Sequence, residues 1–165
     1  MSSQRLGIEL ASMMLESLVT GGNVTVEPIG VIRSEDLEQA LSVDPRQYLM
    51  GNLQQPQVLK HLHSDDIEVG MVIYPHAAAD EPHEHPQVHE CQLVLEGRLK
   101  LLNLDTYEEV SLSKGDFYSV PSDTAHVQKA VAGTKVFFFK HPAMNDKTPV
   151  SYGADVETWL SDLEF

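Results

Sequence analysis

Cysteine is nearly missing: Cys91 stands alone among 165 residues, so no disulfide can close within the chain. Nothing therefore points to maturation in an oxidising compartment, and a cytoplasmic setting is expected. Cations are scarce too, with 11 Lys and Arg against 25 Asp and Glu for a formal net charge of −14. That balance argues against nucleic acid, polyphosphate and anionic membrane as partners, because each needs clustered Lys and Arg. No apolar run approaches the roughly 20 residues that cross a bilayer. Low-complexity segments and internal repeats are also lacking, and a composition of 42% hydrophobic and 22% charged residues excludes extended disorder. What is left is a chain of one-domain size, long enough to bury a core unaided.

Leu6, Leu10, Met13, Met14 and Leu18 repeat at the spacing of one helix face and Gly21-Gly22 follows, which predicts an amphipathic helix. Glu9 and Glu16 interrupt the run, so it does not read as a signal peptide. A second short helix is expected with Ser34 as its cap, Glu35 and Asp36 in the first turn, and Asp44-Pro45 as its stop. From about Gln57 the pattern shifts to short β-type runs at Val58–His61, Ile67–Tyr74, Gln92–Leu95, Arg98–Leu104, Phe117–Val120, His126–Val131 and Lys135–Phe139. Turn residues separate them, the spacing of an antiparallel sandwich or barrel. The organisation expected is an N-terminal helical or irregular extension over 1–56, a barrel over 57–141, and a C-terminal loop and short helix over 142–165. Asp155 is expected to cap that last helix, which presents Trp159, Leu160 and Leu163.

Histidines and carboxylates crowd into Pro82-His83-Glu84-His85-Pro86-Gln87-Val88-His89-Glu90. In an extended chain His83 and His85 project to one side and can reach one ion. Imidazoles joined by the carboxylate of Glu90 suit Fe, Mn, Ni, Cu or Zn better than Ca²⁺ or Mg²⁺. His89 is a competing ligand by position but faces away if Glu90 has entered its strand; Glu84 should point to solvent. Gln92 shares the face of Glu90. Tyr74, His76, Arg98, Lys100, Gln128 and Lys140 lie on or beside expected strands and are candidates to reach a substrate. Cys91 reads as a small apolar residue on the opposite face, His61 and His63 as ordinary strand residues, and Phe137, Phe138 and Phe139 as core or interface.

The series His83-x-His85, Glu90, Gly97 resembles the first motif of the cupin superfamily, G(X)5HXH(X)3-4E(X)6G. Gly115, Pro121 and His126 resemble the second, G(X)5PXG(X)2H(X)3N. Three positions depart from the pattern: Ala77 replaces the leading Gly, Asp123 the Gly after Pro121, and Ala130 the final Asn. The resemblance covers Ala77–Ala130 and implies a mainly β fold, a cupin-type antiparallel β-barrel or jelly roll, with a helical N-terminal extension and a short C-terminal helix. It also implies one divalent transition metal ion held by His83, His85, Glu90 and His126.

Four protein ligands leave positions open for water, substrate or O₂, so a metal-dependent enzyme acting on a small polar metabolite is expected. A slight lean goes to dioxygenase chemistry, with isomerase or lyase chemistry on the same ion as the alternative and Glu90 as a candidate general base. A non-catalytic binding barrel is the reading from another class. The N-terminal helix and Phe137–Phe139 supply apolar surface for an expected homodimer.

Overall fold

The structure is a computed structural model and describes residues 29–165. The amphipathic helix expected around Leu6–Leu18 lies outside them. Ten residues, Ser34–Val43, form helix α1, with Glu35 and Asp36 in the first turn and Ala40 and Leu41 buried. The cap position is Arg33 rather than Ser34, whose hydroxyl instead reaches the Glu35 carboxylate at 3.3 Å. Asp44 ends the helix by donating its N–H to the Ala40 carbonyl, and Pro45 cannot continue it.

Twelve strands follow: β1 Arg46–Gly51, β2 Leu62–His63, β3 Glu68–Tyr74, β4 Ala78–Ala79, β5 His83–Glu84, β6 His89–Glu96, β7 Arg98–Asn103, β8 Glu109–Ser113, β9 Phe117–Val120, β10 His126–Ala130, β11 Thr134–His141 and β12 Thr148–Pro149. One sheet runs β2-β1-β3-β11-β6-β9; the other runs β12-β5-β10-β7-β8, with β4 paired to β10. The barrel thus begins at β1, upstream of the Gln57 expected for it, and Val58–His61 forms no strand. Most of the other expected strands appear within a few residues of their boundaries.

Strict alternation on β3, β6 and β11 sends every second side chain inward. Val72, Tyr74, Val94, Val136 and Tyr118 from the first sheet meet Leu99, Leu112 and Ala130 from the second in one core. The inner rows are graded. Their other ends carry Glu68, Lys140 and Glu90, which are paired side by side across β3, β11 and β6. Apolar packing at one end of the barrel therefore supports a polar interior at the other.

Every residue of β10 is buried, because its two faces have different cover. His126 and Gln128 face the polar interior and Ala130 the core, whereas Val127 packs under helix α2, Ala154–Ser161, with Leu102, Val156, Trp159 and Leu160. The cap of α2 is Gly153, so Asp155 lies in the first turn rather than at the cap, and Leu163 lies past the helix end and is exposed. Lys129 fastens this segment: its ammonium donates to the backbone carbonyls of Trp159 and Asp162 and sits 4.2 Å from the centre of the Trp159 ring. No helix among the described residues is long and apolar enough to cross a membrane.

Candidate metal centre

Two turns fix the approach of the site residues. Gly97 closes the β6–β7 turn at φ 77°, and a Cβ there would lie 2.4 Å from Thr134 Oγ1, so only glycine fits. Asp123, standing where the second motif has glycine, adopts φ 61°, a conformation Asp tolerates better than most residues. Its N–H donates to the His85 carbonyl at 2.8 Å. Ala77 takes no positive φ, so the missing glycine there leaves no strain.

The short strand β5 carries His83 opposite His126 of β10 in register, and β6 carries Glu90. His83, Glu90 and His126 are buried and offer ligand atoms all within 4.8 Å of one another. They form a potential site for a divalent metal. His85 joins them from the turn after β5, with its ring centre 5.2 Å from that of His83 and 6.4 Å from that of His126.

Each histidine is oriented through Nδ1. His83 Nδ1 lies 2.7 Å from the Glu81 carbonyl oxygen and His126 Nδ1 lies 2.9 Å from that of Thr124. A carbonyl only accepts, so both rings carry their proton on Nδ1 and turn a bare Nε2 lone pair inward. His85 Nδ1 is 2.6 Å from Asp146 Oδ1, and the other oxygen of Asp146 accepts from the N–H groups of Gln87 and Val88. Outer partners of this kind set the tautomer and direction of metal-binding imidazoles.

His85 Nε2 is the one buried side-chain nitrogen or oxygen without a hydrogen-bond partner among the described residues. It lies 3.5 Å from Glu90 Oε2. With the proton on Nδ1, a lone pair and a carboxylate oxygen face each other with nothing between them, an arrangement that a shared cation relieves. The residues therefore fit a metal ion on geometry of their own. Electrostatics agree. Burial, then His126, pushes His83 down to about 3, and burial also lowers His126. Burial alone would raise the Glu90 carboxyl, but in the metal-free site a proton on His85 Nε2, followed by the charge of Lys140, outweighs it and holds the group at about 2. Neutral imidazole and ionised carboxylate are the forms that ligate.

Around the four groups lies a small cavity completed by Arg46, Asp80, Gln92, Gln128, Lys140 and Lys147. All ten lining side chains are polar or charged. Gln92 Nε2 donates to Glu90 Oε1 at 3.1 Å, Tyr74 donates its proton to Asp80, and Gln128 Nε2 donates to the Tyr74 oxygen. Those bonds fix both amides with their oxygens toward Tyr118, whose hydroxyl lies 2.5 Å from each. With one proton, Tyr118 donates to only one of them at a time.

Of the residues singled out in the sequence, Gln92, Gln128 and Lys140 line the cavity and Tyr74 braces it. His76 and Arg98 are exposed, and Lys100 pairs with Glu109 at 3.3 Å. His89 is exposed on the opposite face beside Ser119, Cys91 also faces away, and His63 pairs with Asp65. Sequence reasoning missed Arg46, Asp80, Tyr118, Asp146 and Lys147. Tyr118 had a readable signal, since it shares strand alternation with Val120 on β9. The others come from loops or from β1, where spacing carries no information about the site.

The family model for the cupin domain matches residues 69–137, a stretch that contains both motifs. Residues 69–137 thus match a cupin domain, and the two-sheet architecture is that of a single-domain cupin fold. Several solved structures are similar to the chain. KdgF from Halomonas sp. is 22% identical, with 61% of this chain and 80% of that chain covered at a TM-score of 0.49. BH2720 from Bacillus halodurans is 14% identical over 73% of this chain and 86% of its own, with a TM-score of 0.52. A chain from the structures of the DMSP lyases RdDddP and RnDddQII is 15% identical over 64% and 52%, also with a TM-score of 0.52. These likenesses concern the fold. No curated protein matches the chain.

Proposed function

We propose that this cupin is a metal-dependent enzyme that carries out isomerase or lyase chemistry on a small polar metabolite. The observation that carries the reading is the bare His85 Nε2 facing the Glu90 carboxylate inside a cavity with no apolar wall. His83, His85, Glu90 and His126 would hold one divalent transition ion, Fe, Mn, Ni or Zn. When bound, such an ion acts as a Lewis acid that polarises a substrate oxygen and eases loss of a neighbouring proton.

The chain's own groups favour this over the dioxygenase chemistry first expected. Dioxygen is apolar, and no side chain in the lining offers it an apolar resting place. Proton-handling groups are plentiful instead: Tyr74 bonded to Asp80, and Tyr118 between two amide oxygens, lie within one hydrogen-bonded network that ends on Glu90. Glu90, held ionised, is the carboxylate placed to take a proton if it is released from the ion. The cavity's free volume of about 20 Å³ admits an ion or a water. A substrate must therefore displace side chains at the mouth, where Lys147 is exposed.

Metal content and oxygen demand test the proposal together. About one transition ion per chain is expected in the wild type and none in the His83→Ala/His126→Ala double variant. A screen of small hydroxy and keto acids should then give turnover under anaerobic conditions with redox-inert Zn²⁺. Turnover that requires both iron and O₂ would overturn the isomerase or lyase reading; absence of metal uptake from added Fe, Mn, Ni or Zn would overturn the metal reading itself. The outward, half-buried Phe137 and Phe139 keep a homodimer as the oligomeric state to check by light scattering.

A further inference from the structure

From the charges around the cavity we infer that the substrate carries a carboxylate, received by Lys140 and Arg46 beside the ion. This inference rests on the metal-enzyme reading and names its substrate class. Lys140 points inward from β11 and is only 3% exposed, yet it has no ion pair within 4.0 Å among the described residues. It also makes no hydrogen bond there; its ammonium lies 5.7 Å from the centre of the Phe138 ring and faces the cavity. The Lys140 stem is buried while its ammonium reaches the accessible space of the cavity without a direct partner, so an anion entering there can pair with it without displacing another group.

Neither carboxylate neighbour of Lys140 pairs with it directly. Glu90 is committed to the ion and to Gln92, and Glu68, the register partner on the other side, is raised by burial and does not line the cavity. Arg46 stands 3.7 Å from Asp80, a separation too long for a bidentate pair, and its side chain remains 36% exposed. With neutral histidines the lining holds three cations, Arg46, Lys140 and Lys147, against two carboxylates, Asp80 and Glu90, for a local charge of +1. A divalent ion makes it +3. The inner lining is thus positive in a chain of net charge −14, with the carboxylates of Asp146 and Glu68 standing behind it.

Arg46 also lines a neighbouring cleft of about 490 Å³ with Tyr48, Asn52, Gln57 and Glu68. That volume is in the range of small-molecule sites, whereas the space at the metal site is not. The carboxylate would thus sit at the Arg46–Lys140 wall with the reacting carbon toward the ion and the rest of the molecule in the cleft.

Acetate, its neutral isostere acetamide and inorganic phosphate are the probes, titrated by NMR into zinc-loaded wild type, Lys140→Met and Arg46→Gln. Acetate should bind the wild type at least tenfold more tightly than acetamide and more tightly than phosphate. Both variants should keep one zinc per chain and lose acetate affinity at least tenfold. Unchanged acetate affinity in the two zinc-loaded variants, or equal binding of acetate and acetamide, would overturn the inference; preference for phosphate would overturn the carboxylate assignment. If Lys140→Met does not fold, Arg46→Gln alone decides between the same outcomes. If the wild type takes up no metal, the same titrations on metal-free protein test the anion wall separately, because neither Lys140 nor Arg46 is a metal ligand.

Discussion

Asp146 spends both of its oxygens on the site's frame. One receives the His85 Nδ1 proton and the other two backbone N–H groups of the turn before β6. Asp146→Ala should leave the His85 ring free to rotate and weaken zinc binding about 10- to 100-fold, as read by competition with a chromogenic chelator. Affinity within twofold of the wild type would show that packing alone orients His85. The same residues set an acid limit on stability. His83 is lowered to about 3 from an ordinary value of 6.5, so below pH 6.5 the unfolded chain binds protons that the folded chain refuses. Stability is full above that value and is lost as pH falls. Glu90, lowered to about 2, acts in the same direction, with its share present above about 4.5 and lost toward 2. In chelator-treated protein the urea midpoint should therefore fall from pH 7 to pH 5, and His83→Gln should flatten that slope. Equal slopes in the two proteins would remove His83 as the cause.

Strand β3 shows how closely the elements pack. A Cβ on Gly70 would lie 2.3 Å from Phe138 Cζ and 2.7 Å from the Gln47 carbonyl oxygen. The Phe138 ring cannot retreat, because it is 1% exposed and meets Tyr48 edge-on at 5.3 Å between ring centres. Gly70→Ala should cost about 1–3 kcal/mol or more in urea unfolding, and a loss below about 0.5 kcal/mol would mean that β1 and β11 shift more freely than this packing allows. Gly70 reads in the sequence as one more member of an apolar run; its tightness depends on Phe138, far along the chain. The same limit explains β1. Its inward residues are Arg46 and Tyr48, paired with Val72 and Gly70 of β3, and its most buried ones are Gln47 and Gly51, so the apolar alternation that marks β3, β6 and β11 is missing. Gln47 is buried on the outer face of the sheet, where its side chain donates to the Asp44 carbonyl and accepts from the Leu59 N–H. Edge strand β8 buries only Leu112 and leaves as weak a trace. The grouping of His83, His85 and Glu90, proposed above as ligands, could by contrast be read in the sequence because the three are local in the chain and their spacing is fixed by strand geometry. Asp146 and Lys147 lie in the loop before β12 and reach the site only because Thr148 and Pro149 pair with β5, a long-range event with no local signature.

At the scale of the whole molecule the net charge of −14 acts on anything approaching the cavity from solution. A divalent cation is drawn in by that field while it is still tens of ångströms away, because the screening length is about 30 Å at 0.01 M salt. At 0.15 M it shrinks to about 8 Å, and only the lining itself is felt. The lining alone is +1 without the ion, so close to the mouth there is no net electrostatic attraction for a cation beyond what Glu90 and the imidazoles supply as ligands. Zinc uptake by the metal-free protein should therefore slow several-fold between 0.01 and 0.15 M salt when followed by stopped-flow with a zinc indicator. The Lys140→Met variant, with one less positive charge at the site, should take up zinc faster than wild type at the higher salt, where the near field dominates. A rate independent of salt in both proteins would mean that the acidic surface does not steer the ion and that entry past Arg46 and Lys147 sets the pace.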